Sequence, residues 1–271
     1  MRENVLIMEK HDFVCTITFN RPEKRNALSD ELLTGFAAAM NAMSEDSSVR
    51  VVVLRGAGDK AFSAGYDIGG IPPTSHEDSG RLTKDRNAPF RGHPLRAATQ
   101  SIINHPCPVI AMINGLAMGA GCQTAAVCDI RVAAETARFG MPPVKLGVIY
   151  DPEGIRHFVD LVGVAATKEL FLTGDLIDAE RAREIGLVNH VAAARELEAI
   201  TYDLARRIAA NAPLSVSGLK KIISKVVKKP PLSQEDEEEI EALVAKCTGS
   251  YDFQEGIRAF KEKRAPKFEG R

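Results

Sequence analysis

One stretch of the chain, residues 108–151, constrains the fold more than any other. It begins with an apolar run, Val109 to Ile113, which has the composition of a buried strand. A cluster of small residues follows from Ala117 to Gly121, and an apolar segment with helical character begins at Cys122. A strand, a glycine-rich turn and a helix in this order let a ligand approach main-chain N–H groups at a helix N-terminus. Glycine-rich turns also have purely structural uses, so this stretch alone leaves a ligand site and a tight turn both open.

A similar unit occurs earlier in the chain, around residues 51–68. Val51 to Leu54 is a fully apolar run of the kind found in strands that are buried on both faces, and a glycine-containing turn follows it. Residues 94–104 then have a helical pattern. Because a strand, a turn and a helix occur in this order twice, the sequence predicts stacked β-β-α turns rather than a barrel.

Helical patterns dominate the chain after Asp151. They cover residues 153–161, 165–172 and 179–185, and they continue from Arg195 to the C-terminus. We therefore expect an α/β fold with two parts. Residues 1–195 are expected to form the core that holds the candidate site, and residues 196–271 a helical region that packs on a neighbouring subunit.

The composition excludes several classes of partner. Lys and Arg total 35 and Asp and Glu total 36, so the near-neutral chain suggests neither a nucleic-acid nor a membrane partner. The absence of Trp also argues against base stacking. The N-terminal residues lack the pattern of a signal peptide, and no apolar run reaches transmembrane length. The five cysteines are odd in number and form no C-x-x-C pair, which favours reduced thiols in a cytoplasmic protein.

Several segments together resemble the crotonase (enoyl-CoA hydratase/isomerase) superfamily, almost from end to end. They are NRPEKRNAL (20–28), FSAGYDI (62–68), residues 108–147, TGD (173–175), GLVN (186–189) and AFKEKR (259–264). The resemblance implies the crotonase (ClpP-like) spiral of β-β-α repeats with a C-terminal helical trimerisation region, in a homotrimer or hexamer. It also implies an acyl-CoA thioester as substrate and no separate cofactor, because coenzyme A is part of the substrate.

The shared chemistry of this family gives the glycine-rich turns a role. A CoA thioester becomes an enolate when a proton or a carboxyl group leaves its α-carbon. Two convergent backbone N–H groups can hold the oxyanion, and one such donor is typically worth about 3 kcal/mol of the barrier. By resemblance the donors are the amides of Tyr66 and Ala120, the latter at a helix start where the macrodipole adds to the effect.

The resemblance also implies a set of contacts to the CoA moiety. The adenine would lie against the backbone of residues 63–65, and basic residues near both ends of the chain would approach the phosphates. Phe260 and Lys263 lie three apart, which suits a joint ring-and-phosphate contact from one helix face. The expected CoA-binding residues are Lys24, Arg25, Ala64, Gly65, Asp67, Ile68, Pro142, Phe260 and Lys263.

The chain departs from the hydratases of this family at two positions. Hydratases have a glutamate after the Gly-Cys of the glycine-rich turn, where this chain has Gln123, and another where it has Pro143. An amide does not exchange a proton near neutral pH, and proline has no ionisable group. The two-carboxylate hydration mechanism is therefore not available at these positions.

Tyr150 suggests the reaction that replaces hydration. The segment around it is similar to that of the methylmalonyl-CoA decarboxylases, which have a tyrosine at this position, although they have His in place of Tyr66 and Glu in place of Gln123. A malonyl-type substrate already has a carboxylate, and a glutamate about 5 Å away would repel it by roughly 3 kcal/mol at an effective dielectric near 20. The neutral Tyr150 hydroxyl can hold that carboxylate instead. A tyrosine buried for packing alone is the other interpretation.

Two further hypotheses remain open at this point. One is an isomerase, hydratase or hydrolase of the same fold that uses Asp151 as its acid or base, with Glu153 close by. The other is a catalytically silent subunit that binds acyl-CoA. The expected catalytic residues are Tyr66, Ala120, Gln123, Tyr150 and Asp151. No role is predicted for His93, His105 or His157, which lack metal-ligand spacing.

Overall fold

The computed structural model describes residues 4–67, 93–146, 150–228, 250–262 and 264–271, together with 234, 235, 238, 239, 242 and 246. In chain order its strands are β1 (Leu6–His11), β2 (Val14–Phe19), β3 (Val51–Gly56), β4 (Ala61–Ser63), β5 (Val109–Ile113), β6 (Leu116–Met118), β7 (Ile130–Ala134), β8 (Arg138–Gly140), β9 (Ile177–Asp178) and β10 (His190–Ala192). One sheet has six strands in the order β1-β2-β3-β5-β7-β10, and the other has four in the order β4-β6-β8-β9.

Successive strands alternate between the two sheets. From β3 to β8, each strand of the larger sheet is followed by a short strand of the smaller one, and neighbours within each sheet run parallel. Only the outer pairs β1–β2 and β8–β9 are antiparallel among the described strands. Each pair of strands therefore forms one turn of a spiral, which confirms the predicted α/β fold of β-β-α repeats.

The helices begin and end close to where the sequence predicts. In chain order they are α1 (Asp30–Met43), α2 (Pro94–Ile103), α3 (Ala120–Ala126), α4 (Pro152–Thr173), α5 (Ala179–Glu184), α6 (Leu197–Ala209), α7 (Pro213–Lys228) and α8 (Tyr251–Glu262). Two 3-10 turns cover Pro22–Lys24 and Pro143–Leu146. The Ser29 side chain caps α1 by accepting from the Leu32 amide. Gly163, at φ 77°, interrupts α4, so this helix consists of the two segments that the pattern predicts.

Apolar side chains fill the space between the sheets and cover the outer face of the larger one. Phe19 packs edge-on against Phe36 and Phe62, at centroid distances of 5.5 and 5.7 Å. On the outer face, the buried side chains of α6 join those of β3, β5 and β7 in a second apolar cluster. The first helix of the C-terminal region, residues 196–271, thus packs against the sheet.

The end of the chain differs from the prediction. The pattern predicted helix up to the C-terminus, but residues 264–271 follow α8 without regular structure, so that prediction is wrong there. The buried Asp252 carboxylate accepts from the amides of Glu269 and Gly270, at 2.6 and 2.8 Å. Buried Glu255 accepts from the Lys267 amide at 3.0 Å and pairs with Arg264. The two buried carboxylates thus accept from main-chain N–H groups of the C-terminal segment. In a helix these N–H groups would instead donate to carbonyls of the same helix.

Two general expectations can be compared with the described residues. Cys15, Cys107, Cys122 and Cys128 are free thiols, and burial raises the pKa of both Cys122 and Cys128 to about 12. Among the described helices, none is both long enough and apolar enough to cross a membrane.

Candidate active site

The segment after β4 is extended and lies beside Leu28. The Leu28 amide donates to the Gly65 carbonyl at 2.8 Å, and the Asp67 amide donates to the Leu28 carbonyl at 3.0 Å. Successive N–H groups in an extended segment point to opposite sides. The Tyr66 N–H is therefore directed away from Leu28, and within the described residues it has no hydrogen-bond partner.

The second predicted donor lies at the start of α3. The Gly119 amide donates to the Gly140 carbonyl at 2.9 Å, and the first hydrogen bond of the helix runs from the Gln123 amide to the Gly119 carbonyl. The Ala120 N–H precedes that bond and pairs with no other described residue, as is usual in a first helical turn. Ala120 itself is buried.

Gly65 brings the two segments into contact. Its φ is +100°, and a Cβ atom there would lie 2.7 Å from the Met118 carbonyl oxygen and 3.5 Å from the Ala120 nitrogen. Only glycine permits this approach without strain. The structure therefore places the Tyr66 and Ala120 amides on adjoining loops, and we refer to these two N–H groups as the amide site.

The side chain of Tyr66 is directed to α1. Its hydroxyl donates to the Asp30 carboxylate at 2.6 Å, and its ring lies 5.0 Å from that of His93. Burial and this hydrogen bond raise the pKa of Tyr66 to about 12. The Tyr66 hydroxyl is thus hydrogen-bonded to Asp30. Tyr66 contributes its main-chain N–H, and not its side chain, to the amide site.

The residues expected to bind CoA are only partly brought together. Arg21 donates to the Asp67 carboxylate at 2.7 Å and lowers the pKa of Asp67, while the Lys24 ammonium lies 3.6 Å from it. Arg25 is exposed, and its carbonyl accepts from the Ala64 amide at 2.9 Å. Pro142 is partly buried just before the 3-10 turn. Ile68, Lys263 and the side chain of Phe260 lie outside the described part of the structure.

Asn26 is a residue that the sequence reasoning did not assign. It is fully buried with φ 55°; its amide nitrogen donates to the carbonyls of Ala57 and Ala61, and its oxygen accepts from the Arg21 amide. Through these hydrogen bonds Asn26 connects the loop before α1 to the turn between β3 and β4. Asparagine tolerates this left-handed conformation better than most residues, which is the signal that could have identified it.

A second group of polar side chains lies between α3 and α4. The Tyr150 hydroxyl donates to the Gln123 side-chain oxygen at 2.6 Å, and Gln123 is buried on α3. Burial raises the pKa of Tyr150 well above its ordinary value. The Tyr150 ring also packs edge-on against Phe171, with the centroids 5.6 Å apart. Tyr150 is therefore a neutral hydroxyl next to a neutral amide.

Gln123 continues the chain of contacts to His157. Its Nε2 lies 3.4 Å from Nδ1 of His157, which is on α4, seven residues after Tyr150 in the chain. Gly154 makes room for the group, because a Cβ there would lie 2.7 Å from the Tyr150 ring and 3.0 Å from Gln123 Nε2. We refer to these side chains as the Tyr150–Gln123–His157 chain. No local pattern in the sequence predicts this contact of His157, which is 34 residues from Gln123.

The two carboxylates closest to Tyr150 in the sequence have structural partners. Asp151 caps α4, because its Oδ2 accepts from the Gly154 amide at 3.1 Å. Glu153 pairs with Arg96 at 2.8 Å and also accepts from Gln100. Pro143 begins the 3-10 turn. The positions where hydratases have glutamates therefore hold an amide and a proline, and the adjacent acids are occupied in holding α4.

Comparisons with known proteins agree with this architecture. Residues 9–271 match the family model described as enoyl-CoA hydratase/isomerase. The chain is 34% identical to a methylmalonyl-CoA decarboxylase of Escherichia coli, over 98% of this chain and 97% of that protein. It is 35% identical to a short-chain-enoyl-CoA hydratase of Clostridium acetobutylicum, over 100% of this chain and 98% of that one. An enoyl-CoA hydratase structure from Bacillus anthracis superposes with a TM-score of 0.88 at 32% identity, covering 99% and 100% of the two chains.

These matches define the class of protein. The chain belongs to the enoyl-CoA hydratase/isomerase family and has the crotonase fold, as its sequence motifs predict. It is a crotonase-family acyl-CoA enzyme. A decarboxylase and a hydratase are almost equally similar to it, so the reaction has to be argued from the site residues.

Proposed function

We propose that the protein is a lyase that decarboxylates a malonyl-type CoA thioester, with methylmalonyl-CoA as the expected substrate. One observation supports this above the others: Tyr150, at the position where the decarboxylases have a tyrosine, donates its hydroxyl proton to the Gln123 side-chain oxygen at 2.6 Å. The pair is neutral. A substrate that is itself a carboxylate can approach it without like-charge repulsion.

The Tyr150–Gln123 pair itself adds no negative charge that would repel an anionic acyl group, while the nearby Asp151 carboxylate contributes, after burial, to the raised pKa of Tyr150. Two carboxylates about 5 Å apart repel by roughly 3 kcal/mol at an effective dielectric near 20. Glu153, which is close in the chain, pairs with Arg96, and Asp151 accepts from the main chain of α4. In our proposal the substrate carboxylate therefore meets the Tyr150 hydroxyl rather than an acid, and one hydrogen bond orients the bond that breaks.

The proposed reaction needs no metal or organic cofactor, because the thioester accepts the electrons. The bond between the carboxylate carbon and the α-carbon breaks and CO2 leaves. The electron pair of that bond moves into the thioester carbonyl and forms an enolate. The Tyr66 and Ala120 amides hold the enolate oxygen, and protonation of the α-carbon by water, which leaves as hydroxide, completes the acyl-CoA product.

Binding of the CoA moiety is proposed at the loop before α1 and at α8. Lys24 and Arg25 are exposed beside the loop of Ala64 and Gly65, which suits contacts to phosphate and adenine. Asp67 fixes this loop through Arg21. From the other end of the chain, Phe260 and Lys263 are proposed to contact the same moiety, as the family resemblance implies.

We also propose that the protein is a cytoplasmic homotrimer or a hexamer made of two such trimers. The support is an apolar stripe on α7: Leu219, Ile223, Val226 and Val227 are all at least half exposed, at helical spacing. A charged substitution, Ile223→Lys, should shift the mass measured by light scattering toward the monomer. A wild-type monomer at micromolar concentration would contradict the assembly.

The test of the proposed reaction is a substrate panel with two matched variants. The wild type should release CO2 from methylmalonyl-CoA or ethylmalonyl-CoA and hydrate crotonyl-CoA very slowly. Tyr150→Phe keeps the ring that packs on Phe171 but removes the hydroxyl, and should lower CO2 release by about ten- to a hundredfold. Asp151→Asn keeps a capping side chain and should have a much smaller effect.

The alternative reactions are separate outcomes of the same panel. If Asp151→Asn is inactive while Tyr150→Phe is unimpaired, an isomerase, hydratase or hydrolase that uses Asp151 is the better description. If no thioester reacts but acyl-CoA binds with ordinary affinity, the protein is a silent acyl-CoA-binding subunit. Either result contradicts the decarboxylase assignment.

A further inference from the structure

With the Gln123 amide oriented as it is in the structure, the contacts of Gln123 within the Tyr150–Gln123–His157 chain fit one arrangement of hydrogens. The Gln123 oxygen, 2.6 Å from the Tyr150 hydroxyl, can only accept, so Tyr150 must donate. The Gln123 nitrogen, 3.4 Å from His157 Nδ1, can only donate, so Nδ1 must be without a proton. In this arrangement the single proton of the Tyr150 hydroxyl is occupied by the protein.

This arrangement conflicts with binding of a carboxylate. A carboxylate accepts and does not donate, so Tyr150 has to turn its proton toward the substrate. The Gln123 oxygen would then face the Tyr150 oxygen with no proton between them. Because Gln123 is buried, with 4% of its surface exposed, water cannot readily relieve two facing acceptors.

Rotation of the Gln123 amide by half a turn removes the conflict. The nitrogen then faces Tyr150 and donates to its oxygen, while the oxygen faces His157. The heavy atoms keep their places, since the two ends of an amide have nearly the same size. However, the oxygen now needs a donor, so Nδ1 of His157 must carry a proton. An ionised glutamate at this position could only accept and could not serve both arrangements.

We propose that His157 is a positioning residue that sets, through Gln123, whether the Tyr150 hydroxyl donates to the protein or to the substrate carboxylate. The inference rests on the proposed function. It goes beyond that function by coupling the protonation of His157 Nδ1 to the direction in which the Tyr150 hydroxyl donates. When substrate binds, the imidazole proton moves through solvent from Nε2 to Nδ1, so that the ring stays neutral, and the amide turns. Tyr150 then receives one hydrogen bond from Gln123 and donates its own, which polarises it as a donor.

Nitrogen-15 NMR of the histidine rings tests the proposal directly. In the free protein, the His157 signal, assigned by its loss in His157→Gln, should show Nδ1 without a proton. On binding an unreactive thioester whose carboxylate is replaced by a sulfonate, Nδ1 should become protonated. The same titration of Gln123→Leu should leave Nδ1 unchanged. A His157 Nδ1 that is in the same state with and without the analogue overturns the proposal.

Kinetics provide a second test that a merely structural role would not pass. His157→Leu should lower kcat for CO2 release by about tenfold, because a lost hydrogen bond to the chain weakens the donor. His157→Gln, whose amide can also donate or accept, should stay within about threefold of the wild type. In the Tyr150→Phe background, His157→Leu should have no further effect. His11→Leu, at a strand end with its side chain 93% exposed, is the matched control and should be neutral.

The outcomes separate this inference from the proposed function. If the wild type releases no CO2 from any malonyl-type thioester, the proposed function fails, although the free-state prediction for Nδ1 can still be measured. If CO2 is released and Tyr150→Phe is impaired, but His157→Leu is not, only the role of His157 fails. Equal losses in His157→Leu and His157→Gln would also overturn it, because the glutamine would then not replace the hydrogen bond.

Discussion

The amide site and the Tyr150–Gln123–His157 chain are built from different parts of the polypeptide. The amide site consists of main-chain N–H groups whose directions are set by strand pairing beside Leu28 and by the start of α3. The other group consists of side chains from α3, from α4 and from Tyr150, which lies two residues before α4. The chemistry of the amide site depends on the backbone conformation. That of the Tyr150–Gln123–His157 chain depends on which hydrogen-bond donors and acceptors its side chains have.

This difference explains how related proteins share a fold while differing in reaction. Backbone donors remain when side chains change, so enolate stabilisation can be common to the family. A single exchange of oxygen for nitrogen, as from Glu to Gln at position 123, removes a general acid or base without changing the shape of the side chain. The side chains are therefore where the reaction is decided, and the backbone is where the intermediate is held.

The largest effect is expected for hydration, which tests the side-chain group. General acid–base groups contribute about 10²- to 10⁴-fold each. This chain has Gln123 and Pro143 at the two positions where hydratases have glutamates. Crotonyl-CoA hydration should therefore be at least about 10⁴-fold slower than in a hydratase that has both. Gln123→Glu alone should not restore it, because Pro143 leaves the second role vacant. Absorbance of the enoyl thioester measures both, and turnover comparable with that of a hydratase would contradict the mechanism.

The next effect concerns the amide site. Gly65→Ala introduces a Cβ 2.7 Å from the Met118 carbonyl oxygen at a φ of +100°, so the loop of Tyr66 has to move. Loss of one oxyanion donor costs about 10²- to 10³-fold in kcat, and a similar loss is expected for every thioester that reacts through an enolate. Gly35→Ala, on α1 with no atom within 4 Å of the new Cβ, is the control and should retain activity. Comparable activity in Gly65→Ala would show that these amides are not the donors.

The sequence also predicts the two groups to different extents. The repeated order of strand, glycine-containing turn and helix predicted stacked β-β-α turns, whereas the family resemblance implied the amides of Tyr66 and Ala120 as donors. The close approach at Gly65 that brings their two segments into contact is seen only in the structure. The contact between Gln123 and Tyr150 joins residues 27 apart, and that with His157 joins residues 34 apart. Such contacts depend on how α4 packs on α3, which no local pattern encodes. The return of residues 264–271 onto α8 depends on buried carboxylates for the same reason.

A smaller effect is expected at Asp151 and separates capping from catalysis. Its carboxylate accepts from the Gly154 amide at the start of α4, and loss of such a cap typically costs about 1 kcal/mol. Asp151→Ala should therefore lower the free energy of unfolding by about that amount, measured by urea denaturation. Asp151→Asn, which can still cap, should stay close to the wild type. CO2 release should change little in both, and a selective loss of activity in a stable Asp151→Asn would assign Asp151 to the chemistry.

The smallest effect concerns Asp67, which follows Tyr66 and is held by Arg21 at 2.7 Å. The hydrogen bond from Arg21 lowers the pKa of Asp67 in the folded protein. Its ionised form therefore stabilises the fold fully above the unfolded value, about 3.9 for aspartate, and this contribution is lost as the pH falls through the folded value.

Urea unfolding measured between about pH 3 and pH 6 tests this linkage. The free energy of unfolding of the wild type should fall toward acid more steeply than that of Asp67→Asn, which has no carboxylate to protonate. Asp59→Asn is the matched control, because Asp59 is exposed and has no ion-pair partner among the described residues. The same slope in wild type and Asp67→Asn would mean that Arg21 does not fix the loop through the charge of Asp67. The position of the Tyr66 amide would then depend on its backbone pairing with Leu28 alone.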